Sequence, residues 1–311
     1  MLSRVAQRLY WFARYMERTE NTARLMLVRH QLILDLPAAI QPEWELLVNV
    51  LGASENFEKT QRKPTEKNVI AYVFGDRDNP GSIISSIANA RENIRTTREV
   101  ITSETWERVN SLYLSVAQRS NRELPRGVRH KVLNGIIQSC QQVVGLLAGT
   151  MNHDEAYQLL RLGRNLERAD MSTRIVDAGS AELAGEEEDV QPYRNVLWIS
   201  VLQSLSAYQM YRLNIRRNVK SSSVLNFLLK SEVFPRATAH NLSVIAACID
   251  QLPHNKQALK VVTEVKTYLA ETDMRDLAGM ALHEFIDTLQ VRLDSIHEVV
   301  NATWFEPEVS G

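Results

Sequence analysis

Two cysteines in 311 residues argue against a disulfide framework, and both, Cys140 and Cys248, sit within apolar helical patterns. They are expected to be reduced core residues of a cytoplasmic protein. Charge of one sign is missing as well: Lys+Arg number 36 against 37 Asp+Glu, a net charge of -1. Such a balance provides no overall field to hold the chain on nucleic acid or anionic lipid, so neither partner is expected. No run approaches the roughly 20 apolar residues that span a bilayer. Residues 1–10, Met-Leu-Ser-Arg-Val-Ala-Gln-Arg-Leu-Tyr, carry charges inside their first apolar stretch and offer no small-residue cleavage site, unlike a signal peptide.

Familiar catalytic machinery is also lacking. There is no Gly-rich phosphate loop, no G-x-S-x-G elbow and no kinase signature. Seven histidines, at 30, 130, 153, 240, 254, 283 and 297, show no HExxH, Cys partner or catalytic spacing. His153 is read as a helix cap, His240 as a polar helix residue, and His283 and His297 as solvated or core-edge positions. No period-2 strand of useful length appears, and Val69 to Phe74 is read as a short helix.

What is present is helical periodicity. Apolar residues recur every three or four positions through about 2–35, 42–59, 82–101, 103–120, 128–149, 153–181, 191–216, 235–251, 256–270 and 275–304. Pro37, Pro42, Pro64, Pro80, Pro125, Pro192, Pro235 and Pro253 fall between these patterns, where a missing N–H does least harm. Asn79 and Ser103 are placed to start helices, and the acidic stretch Glu182 to Asp189 reads as a solvated loop. With 44% hydrophobic residues the chain can bury a substantial core, and the expected fold is an all-α helical bundle.

One charged phrase occurs twice, 150 residues apart: Arg14-Tyr-Met-Glu17-Arg18-Thr-Glu20-Asn-Thr-Ala-Arg24 and Arg164-Asn-Leu-Glu167-Arg168-Ala-Asp170-Met-Ser-Thr-Arg174. Further blocks match in the same order. Trp44, Leu51, Ala53 and Phe57 correspond to Trp198, Leu205, Ala207 and Tyr211, and Val69–Phe74 followed by Pro80 corresponds to Val224–Leu229 followed by Pro235. A repeat this long, present twice, indicates a bundle of two tandem homologous halves, 1–150 and 151–311.

At about 100° per residue, Arg14, Glu17, Arg18, Asn21 and Arg24 share one helical stripe, with Tyr10, Trp11, Leu25, Val28 and Leu32 among and around them. A solvated face seldom carries so many large apolar residues, so the stripe is expected to be covered. Arg164, Glu167, Arg168 and Arg174 form the second stripe, and the two are expected to meet or line a common cleft. A third arginine-rich helix, with Arg91, Glu92 and Arg95, belongs to the first half only.

Three readings of these charges compete. They form interhelical salt bridges that fix register; or the arginines bind a carboxylate or phosphate while glutamates hold the forks in place; or Glu17, Glu20, Glu167 and Asp170 act as paired carboxylates, with or without a divalent metal. The arginines beside each carboxylate disfavour a cation, and the Glu-x-x-His motif of di-iron bundles is missing. No metal or cofactor is therefore expected.

Residues 2–24, Ala90-Arg-Glu-Asn93, Thr105-Trp-Glu107, Leu162-Gly-Arg-Asn-Leu-Glu-Arg-Ala-Asp170 and Val224-Leu-Asn-Phe-Leu-Leu229 together resemble the bacterial alpha-E domain family nearly end to end, with Asn226 where an Asp is the pattern. The resemblance implies a single all-helical domain over 1–311. Family members are typically encoded beside, or fused to, a circularly permuted ATP-grasp protein, often with a transglutaminase-like peptidase. That setting implies a helical companion of an amide- or peptide-forming ligase, with nucleotide chemistry left to the partner. Under this reading Arg14, Arg18, Arg91, Arg95, Arg164 and Arg168 contact an anion. Glu17, Glu20, Arg24, Glu92, Glu167, Asp170 and Arg174 position them, and Tyr10 and Trp11 wall the pocket. A purely architectural helical protein is the remaining alternative, and homo-oligomers stay open.

Overall fold

The computed structural model describes residues 1–37, 43–183, 193–215 and 219–306. Pro42, Pro192 and residues 184–189 of the acidic stretch lie outside them. Among the described residues there are fourteen α-helices and no strand. In chain order they are α1 (Ser3–Asp35), α2 (Glu45–Val50), α3 (Ser54–Lys59), α4 (Glu66–Gly75), α5 (Ile83–Arg95), α6 (Ser103–Ser120) and α7 (Arg126–Thr150). There follow α8 (Glu155–Leu183), α9 (Arg194–Ser204), α10 (Tyr208–Asn214), α11 (Ser221–Leu225), α12 (Thr238–Asp250), α13 (Lys256–Glu271) and α14 (Gly279–Trp304). None is long and apolar enough to cross a membrane.

Local chemistry sets the boundaries. The helix expected to start at Asn79 begins after Ser82, whose hydroxyl accepts the Ser85 N–H at 3.2 Å. Asn79 instead shapes the preceding turn, donating to the Tyr72 carbonyl and accepting from the Gly81 N–H. Nor does His153 cap α8. Asp154 accepts the N–H groups of Ala156 and Tyr157, while the His153 ring stacks on Tyr157 at 4.0 Å. Two expected long helices are broken. The 42–59 pattern divides into α2 and α3 at Gly52 (φ +64), and the 191–216 pattern divides into α9 and α10 at Ser206 (φ +51). Periodicity registers which side chains are apolar and is blind to one left-handed residue. The 82–101 pattern stops at Arg95, followed by a 3-10 turn at Arg98–Val100. Val69–Phe74 lies in α4, and Val224–Leu229 forms α11 running into a π-helical turn, Asn226–Lys230.

The long helices α1 and α8 lie side by side at the centre and run in the same direction. Tyr10 meets Gly163 near one end, and Leu25, Val28 and Leu32 meet Ile175, Ala178 and Gly179 at the other. Helices α5 and α7 pack on α1, with α6 joining them; α12 and α14 pack on α8, with α13 joining those. Both central helices thereby lose contact with water on nearly all sides, which brings the charged residues they carry into the core.

The close approach depends on Gly163. A Cβ there would stand 2.4 Å from the Tyr10 carbonyl oxygen, which is backbone and cannot turn aside. Gly163→Ala is expected to push α1 and α8 apart and cost about 2–3 kcal/mol, read as a lowered midpoint in thermal or urea unfolding. Gly135→Ala, where an added Cβ meets nothing within 4 Å, is the control that should not lower it.

Candidate functional site: an arginine and glutamate seam

Where α1 and α8 touch, their adjacent Glu–Arg pairs exchange partners. Arg168 donates from Nε and Nη2 to the two oxygens of Glu17 at 2.8 and 2.7 Å. Arg18 donates from the same two nitrogens to the oxygens of Glu167 at 2.6 and 3.1 Å. Each planar fork matches a carboxylate with two parallel bonds, the strongest geometry open to this pair. In a parallel pair of helices the same positions face each other, so a Glu followed directly by an Arg on both helices can pair reciprocally.

Further donors saturate the carboxylates. Arg14 Nε reaches Glu167 at 2.7 Å, and Arg236, from the loop before α12, reaches Glu17 at 3.1 Å. Arg236 also donates to Asn21 (2.8 Å) and Glu20 (2.6 Å), while Ser172 of α8 holds its carbonyl at 2.9 Å. Glu20 accepts from Arg24 at 2.5 Å, and Arg174 pairs with Asp170 one turn away on α8. Glu17, Glu20 and Glu167 are buried. Burial pushes the Glu17 carboxyl up, but Arg168 and Arg236 outweigh it and hold it at about 2. Against the same effect of burial, Arg14 and Arg18 hold Glu167 at about 2.

One arginine departs from this reciprocity. By position Arg164 is the counterpart of Arg14, yet Arg236 occupies the place on Glu17 that Arg164 would take. The Arg164 Nε is buried without a hydrogen-bond partner, and burial followed by the nearby Arg168 pulls its guanidinium pKa down. It lines a recess of about 20 Å³ between α1, α7 and α8, together with Arg161, Glu17, Glu20 and apolar residues such as Phe12 and Leu160. That volume accommodates roughly one water.

The structure therefore brings together Arg14, Glu17, Arg18, Glu20, Arg24, Arg164, Glu167 and Arg168, with the Asp170–Arg174 pair alongside on α8. Arg91, Glu92 and Arg95 do not join them. Helix α5 turns Ile87, Ala90 and Ile94 inward, which leaves Arg91 bonded to Asn110 (2.7 Å) beneath Trp106 and Tyr113, and Arg95 paired with Glu92 in solvent. Tyr10 and Trp11 back the seam against α14. The Tyr10 hydroxyl contacts His297 Nδ1 at 2.9 Å and accepts from Arg14 at 3.3 Å, and burial raises it to about 12. The Arg14 guanidinium lies 5.0 Å from the Trp11 ring centre. Sequence reasoning missed Arg236 and His297. A signal for Arg236 existed: after the matched prolines, Gly81 in one copy is replaced by Arg236 in the other.

The Alpha-E profile, described as a predicted alpha-helical domain with a conserved ER motif, matches residues 1–305. An uncharacterised protein of Mycobacterium bovis is 21% identical over 335 aligned positions, which cover 96% of this chain and 36% of that protein. An uncharacterised protein of Mycobacterium tuberculosis strain H37Rv is 20% identical over the same shares. The chain thus spans about a third of the length of these curated relatives. No solved structure matches it.

Both depressed carboxylates stabilise the fold above the unfolded-state pKa, about 4.3 for Glu, and that contribution disappears as pH falls through the folded value of about 2. Glu167→Gln leaves Arg14 and Arg18 without their counter-charge in the core and is expected to cost about 3–5 kcal/mol at neutral pH. The loss should shrink as pH drops from about 5 towards 2, measured by urea unfolding across that range.

Proposed function

The chain belongs to the Alpha-E family, and from that premise we propose that it is a cytoplasmic helical companion of an ATP-grasp type amide or peptide ligase. In this role it binds the ligase and holds the carboxylate or phosphate end of a substrate or acyl-phosphate intermediate. The observation that carries the anion half of this reading is Arg164, a seam arginine whose Nε is buried without an acceptor. A recess the size of one water admits a single anionic oxygen, so the seam would grip the end of a substrate and leave its body outside. Arg161 stands beside Arg164 in that recess, and the two glutamates that also line it, Glu17 and Glu20, are already paired with Arg168, Arg236 and Arg24.

The companion half draws on the family's setting beside or fused to ATP-grasp proteins, sometimes with a transglutaminase-like peptidase. It is supported by the relatives, in which the matching segment is only 36% of a longer polypeptide. The repeated charged phrase supports descent from a duplicated half of about 150 residues, whose two copies pair through the seam.

Catalysis by the paired carboxylates fits less well. At about 2, Glu17 and Glu167 hold no proton to donate near neutrality, and their oxygens are engaged by arginines. A purely architectural seam is the second reading, favoured by that same saturation of Glu17 and Glu167.

The two readings separate at Arg164. The ATP-grasp protein encoded beside this chain should co-purify with it, and ATP consumption on amino acids or peptides should require both. Arg164→Gln, which removes the charge without setting a third carboxylate beside Glu17 and Glu20, should abolish that consumption while the complex and the melting temperature are retained. Full ATP turnover by the variant would leave only the architectural role, and failure of the two proteins to associate would remove the companion role.

A further inference from the structure

The turn joining α6 to α7 separates two recesses that the seam does not use. One, of about 310 Å³, opens between α4 and the turn over Ile70, Ala71 and Phe74. The other, of about 520 Å³, runs between α6 and α7 over Leu112, Val116, Val132 and Ile136. Arg122, Glu123 and Leu124 line both, so the recesses are two ends of one surface bent around the turn.

That surface is basic in a chain whose net charge is -1. Arg62, Lys67 and Arg129 line the first recess, Arg119 and Lys131 the second, and Arg122 both, against the carboxylates of Asp76 and Glu123. Those two carboxylates are already engaged, Asp76 by Arg62 at 3.0 Å and Glu123 by Lys67 at 3.2 Å. Arg129 is 4% exposed; Glu66 and the Leu124 carbonyl bind its terminal nitrogens, while its Nε is buried with no acceptor. Among the described residues, Arg119, Arg122 and Lys131 have no carboxylate partner; Arg119 turns back onto Ser115 of its own helix.

The floor of the larger recess adds a separate observation. Gly135 lies in the interior of the 25-residue α7, where glycine weakens a helix relative to alanine. Among the described residues, nothing beyond its own helical backbone comes within 4 Å of where its Cβ would be, so packing against the rest of the protein does not require it. Its absence of a side chain does keep the groove open beside Val132 and Ile136.

We propose that this bent surface binds an acidic peptide segment whose apolar side chains enter the α6–α7 groove while its carboxylates meet Arg119, Arg122 and Lys131. Val128, 48% exposed, and the half-buried Val132 supply the accessible apolar surface of the groove over the buried Leu112, Val116 and Ile136, and this surface with a cationic rim matches alternating apolar and acidic side chains. Single-stranded nucleic acid fits poorly, since bases need an open aromatic face and the aromatic residue of these recesses, Phe74, is 2% exposed. The surface is built from α4, α6 and α7 and shares no residue with the seam, so its occupancy is independent of the companion role.

Fluorescence anisotropy with the full chain at low ionic strength tests this, using a labelled glutamate–leucine peptide as the probe. The comparators are a glutamate–serine peptide, a labelled single-stranded oligonucleotide and anionic phospholipid vesicles. The glutamate–leucine peptide should bind, weaken as salt rises, and exceed every comparator by about tenfold or more. Arg122→Glu combined with Lys131→Glu should reduce its binding by a similar factor. Gly135→Leu should do the same by filling the groove, with no fall in melting temperature. Absence of binding at low salt, equal or tighter binding of a comparator, or undiminished binding by both variants would overturn the proposal.

Discussion

Reciprocal pairing of two Glu–Arg dipeptides, Glu17-Arg18 with Glu167-Arg168, is the interaction on which this architecture depends. Parallel helices place like positions together, and a lone glutamate or arginine repeated on both would face its own kind. The adjacent opposite charges remove that conflict, because each arginine reaches across to the other helix's glutamate. Desolvating such ions is expensive, and the attraction offsets it only when every lone pair is used. Here the carboxylates accept from Arg14, Arg18, Arg168 and Arg236, which explains how they stay charged in a core of Phe12, Met16 and Leu166.

Such a seam favours specificity of register over raw stability. Slipping α1 along α8 would pull both forks off their carboxylates and leave the buried Glu17 and Glu167 without these partners. Gly163 adds a steric condition to the electrostatic one, since a Cβ there would run into the Tyr10 carbonyl where the two helices touch. The shell of α5, α7, α12 and α14 then excludes solvent and raises the cost of any alternative pairing.

The two sides of the seam are not identical. Arg236 enters from a loop, replaces the cation expected at Glu17, and also takes up Glu20 and Asn21. Arg164 is thereby released from a purely structural pairing. A reciprocal lattice in which every charge was used would have nothing left to offer a ligand. Arg236, which stands where the first copy has Gly81, keeps Glu17 paired while the Arg164 Nε stays without an acceptor.

Much of this was legible in the residues alone. Their periodicity indicated an all-helical chain, their repeated phrase marked Glu17, Arg18, Glu167 and Arg168, and the large apolar neighbours of those charges showed that water does not cover them. Those properties are local: they depend on which side chains share a face of one helix. Tertiary structure decided which face meets which. The contact of α1 with α8, the entry of Arg236 and the stacking of His297 on Tyr10 all join residues more than a hundred positions apart. It also decided the isolation of Arg91 and Arg95, because the rotation of α5 follows from its own isoleucines seeking the core. Breaks at Gly52 and Ser206 stayed hidden for another reason: a left-handed backbone angle leaves no trace in the spacing of apolar residues. An arginine's role is set by the partner that reaches it first, and that competition takes place only in three dimensions.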